Sequence, residues 1–318
     1  MENPKKIILI TFYPFTERIY ELYDFNEFIN NGVDIVVLDV GQIFYKKNYS
    51  SYKPKNEINE SYIIKCSKRK EVKHYFSTID EDYWVCMTYP INFKSLWLYT
   101  YLKSIKAKIF VEKASVIPYV NTNNSPLIIS SIKELIKKGF LYILSKYIFI
   151  DLIIGSGKRS LDQYRKAFGV AKNTNELFIH QRDYDIYQQR KNNYVNQTNT
   201  AVFIDSYMPF HPDFKIFNQK VGITPEKYYE ALNNYFNFFE KEYSMKVIIA
   251  AHPKSQYEKH PNFYKERKLY KNQTDQLIAQ SKIVMMHGST AVNFIILYKK
   301  PMIILDISKI SNYTGGSK

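Results

Sequence analysis

Short, mostly apolar runs alternate with amphipathic stretches along the whole chain, and this alternation restricts the fold more than any other feature. Typical runs are Lys6–Phe12, Ile35–Val40 and Lys246–Ala251. A strand that is apolar throughout is buried on both faces, and strands separated by helices pair in parallel. The pattern therefore predicts an α/β protein with helices on both faces of its sheets.

A polar segment divides the alternation into two halves. Residues 188–200 (QQRKNNYVNQTNT) contain one apolar pair, Tyr194-Val195, and the alternation restarts at Ala201. A length of 318 residues suits two domains or one large α/β unit. We expect two Rossmann-like domains, residues 1–190 and 198–318. Because such domains bind ligands at the carboxyl ends of their strands, the residues after each strand are the site candidates.

Two strands of the second half are each followed by a polar motif. His252, Pro253 and Lys254 follow one strand, and His287, Gly288, Ser289 and Thr290 follow another and lead into a predicted helix. The N–H groups and dipole at a helix N-terminus attract a phosphate, and a histidine or lysine on a neighbouring strand end adds a donor. Alone, each motif is more typical of a helix cap or a surface histidine. Together they predict a phosphate site.

The order of these motifs resembles the C-terminal domain of bacterial GT-B glycosyltransferases, and more narrowly the sialyltransferase-like and Kdo-transferase-like families. The resemblance covers residues 247–305, about a fifth of the chain. It implies two Rossmann-like domains facing a central cleft, with the acceptor on the N-terminal domain. It also implies that His252, Pro253, Ser289 and Thr290 bind the nucleotide phosphate of a CMP-activated sugar. Many GT-B enzymes hold the donor ribose with a Glu where this chain has Asn293, which hydrogen-bonds without a charge.

Glycosyl transfer needs a base that deprotonates the acceptor hydroxyl, and two carboxylates are candidates. Asp205 follows the first strand of the second half, where it would alternatively cap its loop. Glu17 lies in the first turn of a helix in the first half, a position that the helix dipole also favours. His252 is the third catalytic candidate, as a donor that meets the charge of the leaving phosphate.

Metal-ligand patterns are weak in this sequence. The six histidines are scattered, and neither HExxH nor CxxC occurs. Asp80-Glu81-Asp82 and Asp183-Tyr184-Asp185 match the DxD of metal-dependent transferases, but so short a pattern is more typical of loop acids. We expect no metal and no cofactor, with the nucleotide sugar as co-substrate.

The charge balance indicates an anionic partner. The chain has 45 Lys and Arg against 30 Asp and Glu, a net charge of +15. The basic residues are spread through both halves, and no helix-turn-helix, RRM, KH or zinc-finger signature occurs, so a nucleotide is favoured over nucleic acid. Residues 132–150 form a basic amphipathic stretch, either a membrane-surface helix or an ordinary helix of the fold.

The sequence also predicts a cellular location. It has no signal-peptide core and no apolar segment of about 18 residues, so we expect a cytoplasmic protein. The membrane-surface alternative for residues 132–150 would place it at the inner face of the membrane. Residues after Leu305 show no helix of the kind that returns to the first domain in GT-B proteins. We therefore expect a truncated or minimal version of that fold.

These observations predict an inverting, metal-independent glycosyltransferase. The donor would be CMP linked to a sialic acid, Kdo or another nonulosonic acid, and the acceptor an oligosaccharide or lipid-linked glycan of the cell surface. Within this class, the competing donors are a UDP-sugar, a dTDP-sugar and CDP-glycerol. The motifs also fit a nucleotide-sugar epimerase on the same fold, and the charge also fits a basic nucleic-acid-binding protein.

Overall fold

The computed structural model describes most of the chain, with gaps. The described residues are 4–50, 52–54, 56–89, 91–113, 150–158, 174–194, 197–212, 222–259 and 262–306, with the single residues 139, 143, 161, 162, 165 and 214. Those up to Gln181 form one compact unit, and those from Arg182 onward form a second. The predicted amphipathic helix at 132–150 lies outside the described residues except at 139, 143 and 150.

The first unit contains a seven-stranded parallel sheet in the order β3-β2-β1-β4-β5-β6-β7. Its strands are β1 (Lys6–Thr11), β2 (Asp34–Asp39), β3 (Ile63–Lys65), β4 (Tyr83–Met87), β5 (Lys108–Lys113), β6 (Leu152–Gly155) and β7 (Asn175–Phe178). The helices described in this unit are α1 (Glu17–Leu22), α2 (Phe25–Asn30), α3 (Gly41–Tyr49), α4 (Arg69–Ser77) and α5 (Leu96–Ser104).

The apolar character of β1 reflects burial on both faces of the sheet. Ile8 and Ile10 belong to one core cluster, whereas Ile7 and Leu9 belong to the cluster on the opposite face. Successive side chains of a strand point to opposite faces, so a strand covered on both sides must be apolar at every position.

The second unit contains a five-stranded parallel sheet in the order β10-β9-β8-β11-β12. Its strands are β8 (Thr200–Ile204), β9 (Lys246–Ala251), β10 (Leu269–Lys271), β11 (Ile283–Met286) and β12 (Met302–Ile304). Its described helices are α6 (Arg182–Arg190), α7 (Pro225–Tyr243), α8 (Thr274–Gln280) and α9 (Val292–Leu297), with 3₁₀ turns at Met208–Phe210 and Tyr257–Lys259.

Helix α7 begins where the sequence predicts. Pro225 is its first residue, and the Thr224 hydroxyl accepts a hydrogen bond from the Lys227 N–H at 3.4 Å. Thr as N-cap followed by Pro is a local signal, because the cap satisfies an unpaired N–H and proline needs none.

Helix α6 packs in the second unit, although the sequence assigns it to the first domain. Arg190 Nη1 and the Tyr194 hydroxyl both lie 3.0 Å from Asp275 Oδ2 in α8. These contacts join residues that are more than 80 positions apart, so the polar segment at 188–200 gave no sign of them.

Both sheets confirm the predicted α/β class with two Rossmann-like units. In each sheet the chain builds one side first and then returns to the other side of the first strand, so the strand order reverses between β1 and β4 and between β8 and β11. Ligands of open α/β sheets bind at the carboxyl edge beside this reversal. Among the described residues, no helix combines the length and the apolar character that crossing a membrane requires.

Candidate functional site

A buried carboxylate organises the carboxyl edge of the second sheet. Asp205 directly follows β8 and is 2% exposed. Its Oδ1 accepts hydrogen bonds from the Tyr207 N–H at 2.8 Å and the Tyr264 hydroxyl at 2.9 Å. Its Oδ2 accepts from the Tyr257 hydroxyl at 2.7 Å and the His252 N–H at 3.5 Å. One carboxylate therefore joins the loop after β8 to the loop after β9.

Burial raises the pKa of Asp205, and the four hydrogen bonds oppose that rise because they favour the charged form. The loop turns back at Tyr207, whose φ of 50° is left-handed, and this turn presents the Tyr207 N–H to Asp205. The side chain thus supports a short turn as well as the contact between loops.

The environment of Asp205 argues against its predicted role as the base. A base must reach the acceptor hydroxyl, but this carboxylate is buried and both of its oxygens face protein donors. The geometry fits a residue that positions the two loops.

His252 lies next to Asp205 at the end of β9. Its Nδ1 accepts a hydrogen bond from the Lys254 N–H at 3.1 Å, and its carbonyl accepts from the Ser255 N–H at 2.8 Å. With Nδ1 as an acceptor, the neutral ring carries its proton on Nε2, which is then a donor. The His252-Pro253-Lys254 turn is therefore held in one conformation, with exposed Pro253 at its tip.

A second histidine, which the sequence analysis did not nominate, lies against His252. The ring centroids of His211 and His252 are 4.8 Å apart, with the planes at 69°. His211 is in the loop after β8, and both histidines are partly exposed. The signal that could have identified it is a repeated His-Pro pair: His211-Pro212 lies in the loop after β8, and His252-Pro253 directly follows the adjacent strand β9.

His287, predicted to bind phosphate, instead has protein partners on both ring nitrogens. Nδ1 lies 2.8 Å from the Leu305 carbonyl oxygen, and Nε2 lies 3.0 Å from the Tyr228 hydroxyl. A carbonyl only accepts, so Nδ1 carries the proton and Nε2 accepts from Tyr228. Burial lowers the pKa of His287, which favours the neutral ring. His287 therefore joins β11 to α7 and to the residue after β12.

The Gly288-Ser289-Thr290 turn lies ahead of α9, which begins at Val292. The Ser289 hydroxyl accepts a hydrogen bond from the Ala291 N–H at 3.2 Å, so it caps this turn. Thr290 is exposed, and Gly288 and Ser289 are partly exposed. The turn shares a sheet edge with His252, with β8 between their strands.

Asn293 lies in α9 and faces α6. Its Nδ2 donates to Asp183 Oδ2 at 2.8 Å. Burial raises the pKa of Asp183, and the hydrogen bond from Asn293 opposes this. The pair joins two helices. Asn293 would have to give up this hydrogen bond to bind a ribose hydroxyl through the same N–H group. Asp183 and Asp185 belong to the first turn of α6, which corrects their prediction as loop acids.

The other predicted carboxylates lie in the first unit. Glu17 is the exposed first residue of α1, and its Oε2 accepts from Asn56 Nδ2 at 2.7 Å. Glu81 and Asp82 form surface ion pairs with Lys6 and Lys108. Within the described part of the chain, no three His, Cys, Asp or Glu side chains form a group that could hold a metal ion.

The first unit contains a second buried carboxylate that the sequence analysis did not single out. Asp39 ends β2 and is 1% exposed. Its Oδ1 accepts from the Gly41 N–H at 2.9 Å, and its Oδ2 accepts from the Tyr49 hydroxyl. Burial raises the pKa of Asp39 to about 6, while Tyr49, Gly41 and Lys65 act in the opposite direction.

Comparison with known proteins gives likeness in architecture only. No family model and no curated protein matches the sequence. Methanocaldococcus jannaschii UDP-GlcNAc 2-epimerase, solved with UDP-GlcNAc and UDP, is similar at 12% identity and a TM-score of 0.49, over 94% of this chain and 83% of that chain. Acinetobacter baumannii MurG is similar at 9% identity and a TM-score of 0.45, over 95% and 78% of the two chains. Anabaena Alr3699/HepE, solved with UDP and glucose, is similar at 10% identity and a TM-score of 0.43, over 94% and 80%. The function must therefore be inferred from the residues at the carboxyl edge of the second sheet.

Proposed function

We propose that this protein is a glycosyltransferase that uses a nucleotide-activated sugar, with the donor bound at the carboxyl edge of the second sheet. The observation that carries this proposal is the placement of His252 and the turn 288–290 on strand ends flanking β8, beside the reversal in strand order. That edge is where open α/β sheets bind ligands. The order of the two motifs resembles that of the donor site in transferases with His-Pro and Ser/Thr motifs.

His252 would donate a hydrogen bond from Nε2 to the phosphate that leaves with the nucleotide. The Lys254 N–H fixes the tautomer that makes this possible. A donor held in place before the reaction stabilises the developing charge without having to reorganise. Lys254 would add positive charge, and Ser289 and Thr290 would contact the donor from the other side of β8.

The spacing of the strands limits what each motif can contact. Because β8 separates β9 from β11, the backbones at His252 and His287 are two strand spacings apart, about 10 Å. Both motifs can therefore reach one donor only if they contact different parts of it, or if the loop after β8 contributes.

Glu17 is the remaining candidate for the base. It is the exposed one of the two nominated carboxylates, whereas Asp205 is buried. Its place on the first unit agrees with an acceptor-binding role for that unit. Under this proposal Asp205 positions His252 and does not take the proton.

The finer assignment is a CMP-linked nonulosonic acid as donor, no metal requirement, and an oligosaccharide or lipid-linked glycan as acceptor at the inner membrane face. The His-Pro and Ser/Thr motifs favour CMP, and a UDP-sugar is the competing donor. We expect CMP to raise the melting temperature in EDTA as much as in Mg²⁺, because a ligand that binds only the folded state stabilises it.

The test compares CMP, UDP and the corresponding sugar nucleotides by thermal shift, and then follows release of the nucleotide on addition of a glycan acceptor. His252→Ala should abolish both the shift and the transfer. His74→Ala is the matched control, because His74 is exposed on α4 in the first unit. If neither nucleotide shifts the melting temperature of the wild-type protein at millimolar concentration, the proposal fails.

A further inference from the structure

We propose that His211 is a second phosphate-binding imidazole, which acts with His252 as a two-histidine site for the donor phosphate. This inference rests on the proposed function and extends it to a residue that the His-Pro and Ser/Thr motifs do not include. It follows from three observations: the placement of the two loops, the contact between the two rings, and the position of β8 in the sheet.

One buried group, Asp205, makes hydrogen bonds to both loops. Asp205 accepts from the Tyr207 N–H in the loop that carries His211 and from the N–H of His252 itself. The Tyr257 and Tyr264 hydroxyls donate the other two hydrogen bonds to the Asp205 carboxylate. The backbones that carry the two imidazoles are therefore fixed relative to each other, which a preformed ligand site requires.

The two rings lie in direct contact. Their centroids lie 4.8 Å apart in an edge-to-face arrangement, and both histidines are partly exposed. Two imidazolium ions at this distance repel each other, whereas an anion in contact with both is attracted by both. A phosphate monoester carries up to two negative charges and several acceptor oxygens, so it suits a pair of imidazole donors.

The strand order gives His211 its place in the donor site. It lies on the loop after β8, which separates the strand of His252 from the strand of the turn 288–290. The gap of about 10 Å between those strand ends is too wide for one phosphate to contact both backbones. A donor group on the intervening loop lies where such a phosphate needs a further ligand.

The experiment separates phosphate binding from a structural role by comparing nucleotides with nucleosides. Affinities of CMP, UDP, cytidine and uridine are measured by calorimetry for the full-length wild-type protein, His211→Gln and the matched control His74→Gln. For His211→Gln we expect the nucleotide that binds to lose affinity about tenfold or more, as for the loss of a charge-assisted hydrogen bond. Affinity for the matching nucleoside should change less than twofold.

A second measurement applies even if His211→Gln fails to fold. The imidazole signals of the wild-type protein are followed by NMR during titration with inorganic pyrophosphate. The signal of His252 and one further histidine signal, which the proposal assigns to His211, should move together. His252→Gln identifies that signal, and His74→Gln identifies one that should stay unchanged.

Each outcome decides the inference. Unchanged nucleotide affinity in His211→Gln, or an equal loss for nucleotide and nucleoside, overturns it and leaves the transferase proposal standing. If the wild-type protein binds no nucleotide but pyrophosphate moves both imidazole signals, the two-histidine site stands and the transferase proposal falls. If only one imidazole signal moves, or none, the two-histidine site is rejected.

Discussion

Asp39 in the first unit and Asp205 in the second are similar residues with different partners. Each ends or follows a parallel strand, each is at most 2% exposed, and burial raises the pKa of each. The donors to Asp39 are 2 and 10 residues away, both in α3. The donors to Asp205 are 2, 47, 52 and 59 residues away, on two different loops.

The sequence separation of the donors distinguishes a carboxylate that supports one local element from a carboxylate that links distant loops. Asp39 fixes one helix to one strand, because its two donors are the first and last residues of α3. Asp205 joins two loops that are far apart in the sequence, and these loops carry His211 and His252. A buried carboxylate at a strand end is therefore a guide to function only when its partners are known.

The largest effect is expected for Asp205→Asn. The amide keeps one acceptor oxygen but turns an NH₂ group towards two donors, so two hydrogen bonds are lost and buried donors are left without an acceptor. We expect the free energy of unfolding to fall by about 3 kcal/mol or more. Urea denaturation measures this loss, and calorimetry should detect no nucleotide binding. Full nucleotide affinity in a folded Asp205→Asn variant would contradict the organising role.

The sequence separation between interacting residues also explains which features the sequence predicts. The apolar run of β1 and the Thr224-Pro225 start of α7 depend on neighbouring residues, so they are visible in the sequence. His252 could be placed because it directly follows a strand.

Features fixed by distant partners could not be read from the sequence. Asp205 looked like a base because the Tyr257 and Tyr264 hydroxyls that enclose it lie more than 50 residues further along the chain. Asn293 looked like a ribose ligand because its partner Asp183 is 110 residues away. Residue type and spacing do not report such tertiary contacts.

The next largest expected effect is a dependence of the unfolding free energy on pH, caused by Asp39. Its pKa rises from 3.8 in a free side chain to about 6 in the folded protein, so the folded state binds more protons between these values. Stability from this group is present at low pH and is lost as the pH rises through about 6. The shift corresponds to about 3 kcal/mol across that window.

Asp39→Asn tests this sign, because the variant has no carboxyl group to titrate. Denaturation of the wild-type protein and the variant at pH 4 to 8 should give a difference in unfolding free energy that changes with pH mainly between 4 and 6, with the wild-type protein gaining relative stability as the pH falls. A difference that is constant across the range would show that Asp39 has an ordinary pKa.

A smaller effect is expected for Gly41→Ala, next to Asp39. A methyl group on Gly41 would lie 2.4 Å from Tyr49 Cε2 and 2.8 Å from the Phe12 carbonyl oxygen. Tyr49 would have to move and would weaken its bond to Asp39, while the Phe12 backbone cannot easily move. We expect a loss of about 2 kcal/mol in unfolding free energy.

Gly32→Ala is the contrasting variant, because Gly32 has φ of 73° and no atom within 4 Å of the added methyl group. Its cost, about 1 kcal/mol, should come from backbone conformation alone.

The smallest effect, and one of opposite sign in pH, is expected for His287→Asn in the second unit. Burial lowers the pKa of His287, so the unfolded state binds more protons than the folded state as the pH falls below about 6.5. The wild-type protein therefore loses stability from this group on acidification, whereas Asp39 makes it gain stability.

At pH 7.5 the variant should be about 1 kcal/mol less stable, because Tyr228 loses its acceptor while the amide can still donate to Leu305. As the pH falls from 6.5 to 5, this difference should shrink, because only the wild-type protein loses the contribution of a neutral His287. Urea denaturation at half-unit pH intervals measures the trend, and a difference that grows on acidification would mean that His287 is held in its charged form.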